Sequence, residues 1–399
     1  MSSKSFVQEG STENFGFAPE RLKRLHDRIE QYVDDGQYAG VSVLLVRNGK
    51  VEDFFSAGYR DVDRQVEMGH DTILRVYSMT KIVVSVAALT LLEQGKIGLR
   101  DPITAYLPEF ADPYVMVSGT VENPVLAPAD RPITVQHLFT HTSGLTHGDS
   151  GLPVDKLYEA ADLQTADSLA ELVRRIAKVP LGRQPGTIFD YGYSTDVLGR
   201  LIEVVTGTRL DVVLQERILE PLGMRDTGYA VPVSKRQRLS KMYMHGIKRH
   251  FEAVDLPSGE SEEGVRQYPM GGIGLFSTLD DFGRFGQMLC NGGELHGVRI
   301  LGRKTVDLMT INHLASLSCP YQNFRAGDGF GLGVGVRVDD DLVGTVGTKG
   351  MFGWDGLATT RLRIDPVEKL VMVFGAQHQP FDEHGMHERL QNLVYQALI

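Results

Sequence analysis

Ser78-Met79-Thr80-Lys81-Ile82-Val83-Val84-Ser85-Val86-Ala87-Ala88-Leu89-Thr90-Leu91-Leu92-Glu93-Gln94-Gly95 contains no proline, and no glycine before Gly95, a natural helix stop. Apolar residues cover nearly the whole surface of such a helix, which predicts burial among other elements rather than one wet face. Ser78 and Lys81 stand three residues apart and so share a face, one turn from each other. A serine hydroxyl is a poor nucleophile at neutral pH unless a base takes its proton. A lysine in an apolar wall can be that base, because desolvation disfavours the ammonium. The helix start adds free backbone N–H groups beside Ser78, suited to a developing oxyanion. The tetrapeptide alone also suits a structural pair, with Ser78 as N-cap and Lys81 as a snorkelling surface side chain. A chain of this length should hold roughly one Ser-x-x-Lys by chance, so the surroundings must decide.

At 399 residues the chain exceeds one ordinary core and predicts two lobes. Its 42% hydrophobic and 23% charged content are those of a soluble globular protein. The net charge is −10 with no block of Lys and Arg, which argues against nucleic acid or an anionic membrane as partner. No apolar run reaches membrane-span length, and the first ten residues hold no apolar leader. Two cysteines, Cys290 and Cys319, cannot make a disulfide framework, so the cytoplasm is the expected compartment.

Outward from Ser78, Pro19 to Val33 places Leu22, Leu25, Ile29 and Val33 on one helical stripe. Gly40–Arg47 and Lys50–Gly58 flank Asn48-Gly49, a strong hairpin signal. At the far end, Leu357–Ile364 and Lys369–Gln377 read as strands joined through Asp365-Pro366, and Glu383–Leu398 as a closing helix. The expected fold class is α/β (α+β): an antiparallel sheet built from both chain ends, flanked by helices, with a large, mostly helical insert. Thr134–Thr140, Ser168–Lys178, Thr195–Thr206, Leu210–Leu219 and Thr278–Cys290 show helical periodicity or punctuation. Asp255–Gln267 reads as an exposed acidic loop. The division expected is 1–100 with 335–399 as the α/β domain and 101–334 as the helical one, with a ligand cleft between them.

This order of elements resembles the serine β-lactamase and penicillin-binding-protein superfamily, in particular the class C-like branch with the family VIII carboxylesterases. The markers are Ser78-Met79-Thr80-Lys81, Leu99-Arg100-Asp101-Pro102 with Tyr106-Leu107-Pro108, Leu138 to Leu145, Pro185-Gly186-Thr187 and Glu220-Pro221-Leu222-Gly223-Met224. The resemblance implies a catalytic tyrosine ahead of a short helix. Two compete in Asp190-Tyr191-Gly192-Tyr193-Ser194. The family's spacing to the turn opened by Asp196 selects Tyr191, and Tyr193 falls where many relatives carry Asn. Either tyrosine also suits plain packing with a satisfied hydroxyl. The family's Lys-Thr-Gly does not occur. At its place stands Gly353-Trp354-Asp355-Gly356, like the Trp-x-Gly of the esterases, with Asp355 a departure from the usual Trp-Gly-Gly. An indole removes the cation that would pair with a substrate carboxylate and leaves an apolar wall. By the same mapping, the backbone N–H groups of Ser78 and Leu357 form the oxyanion hole, and Trp354, Asp355, Gly356 and Tyr193 contact substrate.

Other motifs are weaker. No Gly-x-Ser-x-Gly elbow occurs. His137 and His141 are spaced for a metal on a helix, but with no third ligand apparent they read as structural. His378, His384 and His387 read as loop and helix-surface residues, and Gly271-Gly272-Ile273-Gly274 as a tight loop facing the cleft. The expectation is a serine carboxylesterase acting on neutral short-chain esters through an acyl-Ser78 intermediate, with acyl transfer to alcohols as the variant outcome when an alcohol replaces water. It needs no metal or organic cofactor, and its partner is a small-molecule ester. The alternatives are a β-lactamase or D-alanyl peptidase, and a non-catalytic binding protein on the same fold. Anionic Asp355 is expected to repel a substrate carboxylate.

Overall fold

Asn48 and Gly49 both take positive φ, 51° and 80°, and turn the chain back between two long strands. The computed structural model describes residues 16–245, 251–253, 268–317 and 326–399. Helix α1 (Pro19–Asp34) leads into the strands of that hairpin, β1 (Gly40–Arg47) and β2 (Lys50–Asp61), followed by β3 (Val66–Glu67) and helix α2 (Thr80–Glu93). Helices α3 (Ser194–Thr206) and α4 (Leu279–Cys290) belong to the interior of the sequence. The last part supplies β4 (Asp328–Phe330), β5 (Gly335–Arg337), β6 (Phe352–Gly356), β7 (Thr360–Asp365), β8 (Leu370–Ala376) and helix α5 (Met386–Tyr395). The sheet order is β4-β5-β6-β7-β8-β1-β2-β3, antiparallel throughout. Its central pair, β1 with β8, joins the two chain ends in register from Val41↔Ala376 to Arg47↔Leu370. The sheet expected from both ends is the sheet observed.

Strand alternation explains why both faces are dry. Val41, Val43 and Leu45 of β1 cluster with Leu25 and Ile29 of α1 and Leu390 and Val394 of α5. Leu44 and Val46 belong to the main core on the other face, where α4 lies. Gly283 and Gly286 let α4 come that close, since a Cβ on either would lie 2.6 Å from the side chain of Leu44 or Val371. Helix α2, apolar all round, is buried from Thr80 to Leu91. No helix among the described residues is long and apolar enough to cross a membrane.

Several boundaries move for local reasons. Thr134, Ser168 and Thr278 are N-caps whose hydroxyls accept from the third backbone N–H, so those helices begin one residue later than expected. The stretch from Leu210 runs as α-helix to Leu214 and as π-helix over Gln215–Leu219. The interior also holds a hairpin, Tyr114–Gly119 with Pro124–Pro128, that helical periodicity did not suggest. Leu357 does not open a strand: it lies in the turn between β6 and β7, where Thr359 takes a φ of 59°. The closing helix begins at Met386, after Gly385 at a φ of 61°. His378 and His387 are corrected from surface to interior, 1% and 0% exposed, because Tyr38 packs against the first and Phe374 and Phe381 against the second. The expected acidic loop Asp255–Gln267 lies outside the described residues.

Candidate active site

Ser78 sits in a single 3₁₀ turn, Tyr77–Met79, that feeds directly into α2. Tyr77 immediately before it takes a φ of 42°, a left-handed conformation that non-glycine residues adopt only where surrounding structure enforces it. Lys81, one turn on, is 2% exposed. Its Nζ donates to Ser78 Oγ at 3.2 Å and to the Gly272 carbonyl at 2.8 Å. The glycine loop thus faces the nucleophile, as its sequence suggested. It is anchored from two directions: Gly272 N–H donates to Asp196 of α3 at 2.9 Å, and Leu275 N–H to Thr80 Oγ1 at 3.2 Å. A Cβ at Gly271 would lie 2.1 Å from the Thr195 carbonyl, so only glycine allows this approach.

The structure separates the two tyrosines. Lys81 Nζ lies 4.6 Å from the centroid of the Tyr191 ring, and the Tyr191 hydroxyl accepts from Trp354 Nε1 at 3.1 Å. Tyr193 is buried at the start of α3, stacked 6.0 Å from Tyr158 and edge-on to His147 at 4.9 Å. Between them Gly192 packs tightly on the preceding loop, where a Cβ would meet the Leu145 carbonyl at 2.2 Å. His141 holds the Tyr191 segment from beneath. Its carbonyl accepts from Asp190 N–H at 2.8 Å, its Nδ1 from Gly192 N–H at 3.3 Å, and its ring lies 4.6 Å from that of Tyr191. Burial first, and then Lys81, hold the imidazoles of His141 and His147 below the usual histidine range, His147 at about 3. A neutral His141 keeps the lone pair that Gly192 uses. His137 instead caps its own helix, taking Thr134 N–H on Nδ1, so the two histidines have separate structural partners.

On β6, Trp354 packs edge-on against Phe330 at 5.1 Å. Asp355, the next residue, is not a free anion. Arg361 Nε and Nη2 donate to it at 2.9 and 2.8 Å, and Arg363 Nη1 lies at 2.7 Å. Burial opposes its ionisation, but the two guanidiniums outweigh that and hold the carboxyl below the usual carboxylate range. The expected repulsion of a substrate carboxylate is therefore corrected: the Asp355 anion is already paired with two guanidiniums. The pairing could be suspected only by aligning β6 with β7, which sets Asp355 opposite Arg361 and Gly353 opposite Arg363. Since β5 pairs with β6 only at Phe352 and Gly353, the edge of β6 is open beyond them. A cavity of about 390 Å³ borders β6, lined among others by Tyr191 and Trp354, by Asp355, Arg361 and Arg363, and by Glu388 of α5; Ser78 and Lys81 are not in its lining. Gly356 brings β6 onto the nucleophile turn, with a Cβ there 2.3 Å from the Val76 carbonyl. Leu357, half exposed, follows at the mouth of that contact.

A family model described as beta-lactamase matches residues 25–396. The chain is 33% identical over 278 residues to esterase EstB of Burkholderia gladioli, covering 65% of this chain and 67% of that protein. It is 28% identical over 408 residues to a putative D-alanyl-D-alanine carboxypeptidase of Escherichia coli (strain K12), covering 94% of this chain and 86% of that one. The solved structure of EstCE1, a hydrolase with promiscuous acyltransferase activity, superposes with a TM-score of 0.79 at 26% identity, covering 94% of this chain and 99% of that one.

Proposed function

The chain belongs to the beta-lactamase family as a serine hydrolase, and we propose that it is a carboxylesterase of neutral short-chain esters working through an acyl-Ser78 intermediate. The observation that carries this reading is the buried Lys81 amine within hydrogen-bond reach of Ser78 Oγ. Ser78 Oγ attacks the ester carbonyl carbon and its proton passes to Lys81 Nζ, which the Gly272 carbonyl holds in place. The carbonyl oxygen, becoming an oxyanion, is assigned to the N–H groups of Ser78 and Leu357. Tyr191, whose oxygen already accepts from Trp354, keeps its own O–H proton for the leaving alcohol. Water then attacks the acyl-enzyme and the same groups act in reverse. A second alcohol in place of water gives acyl transfer. Trp354 supports a neutral ester, since an indole stands where the family's lysine would hold a carboxylate.

A second reading, a β-lactam or D-alanyl peptide substrate, is supported by the 28% identity to a putative D-alanyl-D-alanine carboxypeptidase over 94% of this chain. The decisive experiment pairs a fluorophosphonate probe with a substrate panel. One adduct, on Ser78, with turnover of neutral acyl esters far above that of any cephalosporin is the expected result. An adduct on Ser143, Ser194 or Ser277 would reject the nucleophile. Cephalosporin turnover equal to that of the best ester would put the second reading in place of the first. No adduct at all would leave a binding protein.

A further inference from the structure

Among the described residues, three potential metal ligands come together away from Ser78. His378, Glu383 and His384 each bring one donor atom within 4.8 Å of the others. His378 Nε2 stands 2.9 Å and His384 Nε2 3.6 Å from the same oxygen, Oε2 of Glu383. Zinc bonds of roughly 2.0–2.2 Å set tetrahedral edges near 3.4 Å, so these two distances bracket the edge that the ion requires. A hydrogen bond between His378 and Glu383 accounts for one edge, but not for the second imidazole converging on that oxygen. The rings are also held from behind. The fully buried Tyr38 lies edge-on to both, at 4.8 Å from His378 and 5.4 Å from His384. One ligand is buried, while Glu383 and His384 retain 35% and 20% side-chain exposure, which gives an ion an entry path and room for a water.

We propose that His378, Glu383 and His384 form a structural site for a divalent transition metal, fitted to Zn²⁺ with water as fourth ligand. Two imidazoles and a carboxylate suit zinc, cobalt or nickel, whereas magnesium and calcium prefer oxygen alone. The site's consequence lies in what the segment grips. His378 N–H donates to the Ala358 carbonyl at 3.3 Å, and Thr359 Oγ1 donates to the His378 carbonyl at 3.0 Å. Asp382 N–H donates to the same Thr359 Oγ1 at 3.0 Å. An ion joining residues 378 and 384 would therefore stiffen the turn that carries Leu357. The binding claim stands whatever reaction Ser78 performs.

The test uses the full-length chain without a polyhistidine tag, stripped with chelator and titrated with zinc chloride by calorimetry and against a chromogenic chelator. One equivalent should bind, and zinc should raise the melting temperature of wild type by mass action. Glu383→Gln and His384→Ala, on the solvent side, should each weaken binding about tenfold or more and abolish the thermal shift. His378→Ala should do the same, and because that side chain is buried, the other two variants decide the matter if it fails to fold. No binding by wild type, or binding unchanged in Glu383→Gln and His384→Ala, overturns the site.

Discussion

The Tyr191 hydroxyl accepts from Trp354, and its ring lies 4.6 Å from Lys81 Nζ, whereas Tyr193, two residues on, packs among Tyr158 and His147. Tyr191→Phe removes the proton that the leaving group needs and leaves the ring stack intact. We expect kcat to fall by about two to four orders of magnitude, the usual worth of a positioned acid or base. Tyr193→Phe should keep kcat within a few-fold. Steady-state kinetics on the preferred ester check both, and the opposite ranking would move the proton to Tyr193. Asp355 makes a second case. Replacing it with Ala takes from Arg361 and Arg363 the carboxylate that joins them. Breaking a largely buried pair in this way costs about 3 kcal/mol. Denaturant melts should show that loss, and a variant as stable as wild type would mean that solvent already screens the pair. This outcome differs from easier acceptance of anionic substrates, which is what a free Asp355 would have predicted.

At the scale of elements, β6 was the least legible part of the site. Gly353 and Gly356 break its strand pattern, so the sequence shows no strand there and its Leu357–Ile364 strand is β7. The glycines are there for approach rather than for pairing alone. Gly353 takes a φ of 153° against β7, and Gly356 meets the Val76 carbonyl where a Cβ would lie at 2.3 Å. Strong local signals read correctly: the Asn48-Gly49 turn, the all-apolar α2 and the stripe of α1. The grip of His141 on Gly192 could not be read, since the two lie 51 residues apart, whereas Arg361 and Arg363, near Asp355 in sequence, become its partners only once β6 and β7 are aligned. Gly356→Ala tests the approach. The new methyl must push β6 from the nucleophile turn, shifting Leu357 relative to Ser78. A displacement near 1 Å at reacting groups costs about a hundredfold in rate. We expect kcat/KM to fall on that order while the protein remains folded by circular dichroism. Unchanged kinetics would show that Leu357 contributes nothing to the reaction.

Across the whole molecule, the nucleophile and the tryptophan that braces its tyrosine arrive from opposite ends of the chain. Ser78 follows β1 to β3, Trp354 lies in β6, and the β1–β8 pairing is what makes them neighbours. That pairing is sealed on one face by α1 and α5, which also tie the termini together through Ala18 N–H to the Ala397 carbonyl at 2.7 Å. Glu388 and Gln391 of α5 reach the cavity beside Trp354, but among the described residues no hydrogen bond or ring contact joins Ser78, Lys81 or Tyr191 to either helix, so the outer layer should set stability without setting chemistry. Leu390 of α5 offers the cleanest separation, being fully buried beside Val43, Leu45, Met372 and Phe374. Leu390→Ala removes that side chain from a packed face and leaves a cavity, which costs about 2–5 kcal/mol. Such a loss is a large share of the 5–15 kcal/mol typical of a folded domain, so the melting temperature and soluble yield should both fall. KM, and kcat per phosphonate-titrated site, should stay at wild-type values, because the molecules that remain folded keep the same Ser78, Lys81 and Tyr191. A fall in kcat per titrated site would mean that α5 reaches the reaction through the sheet, and the outer layer would then belong to the mechanism.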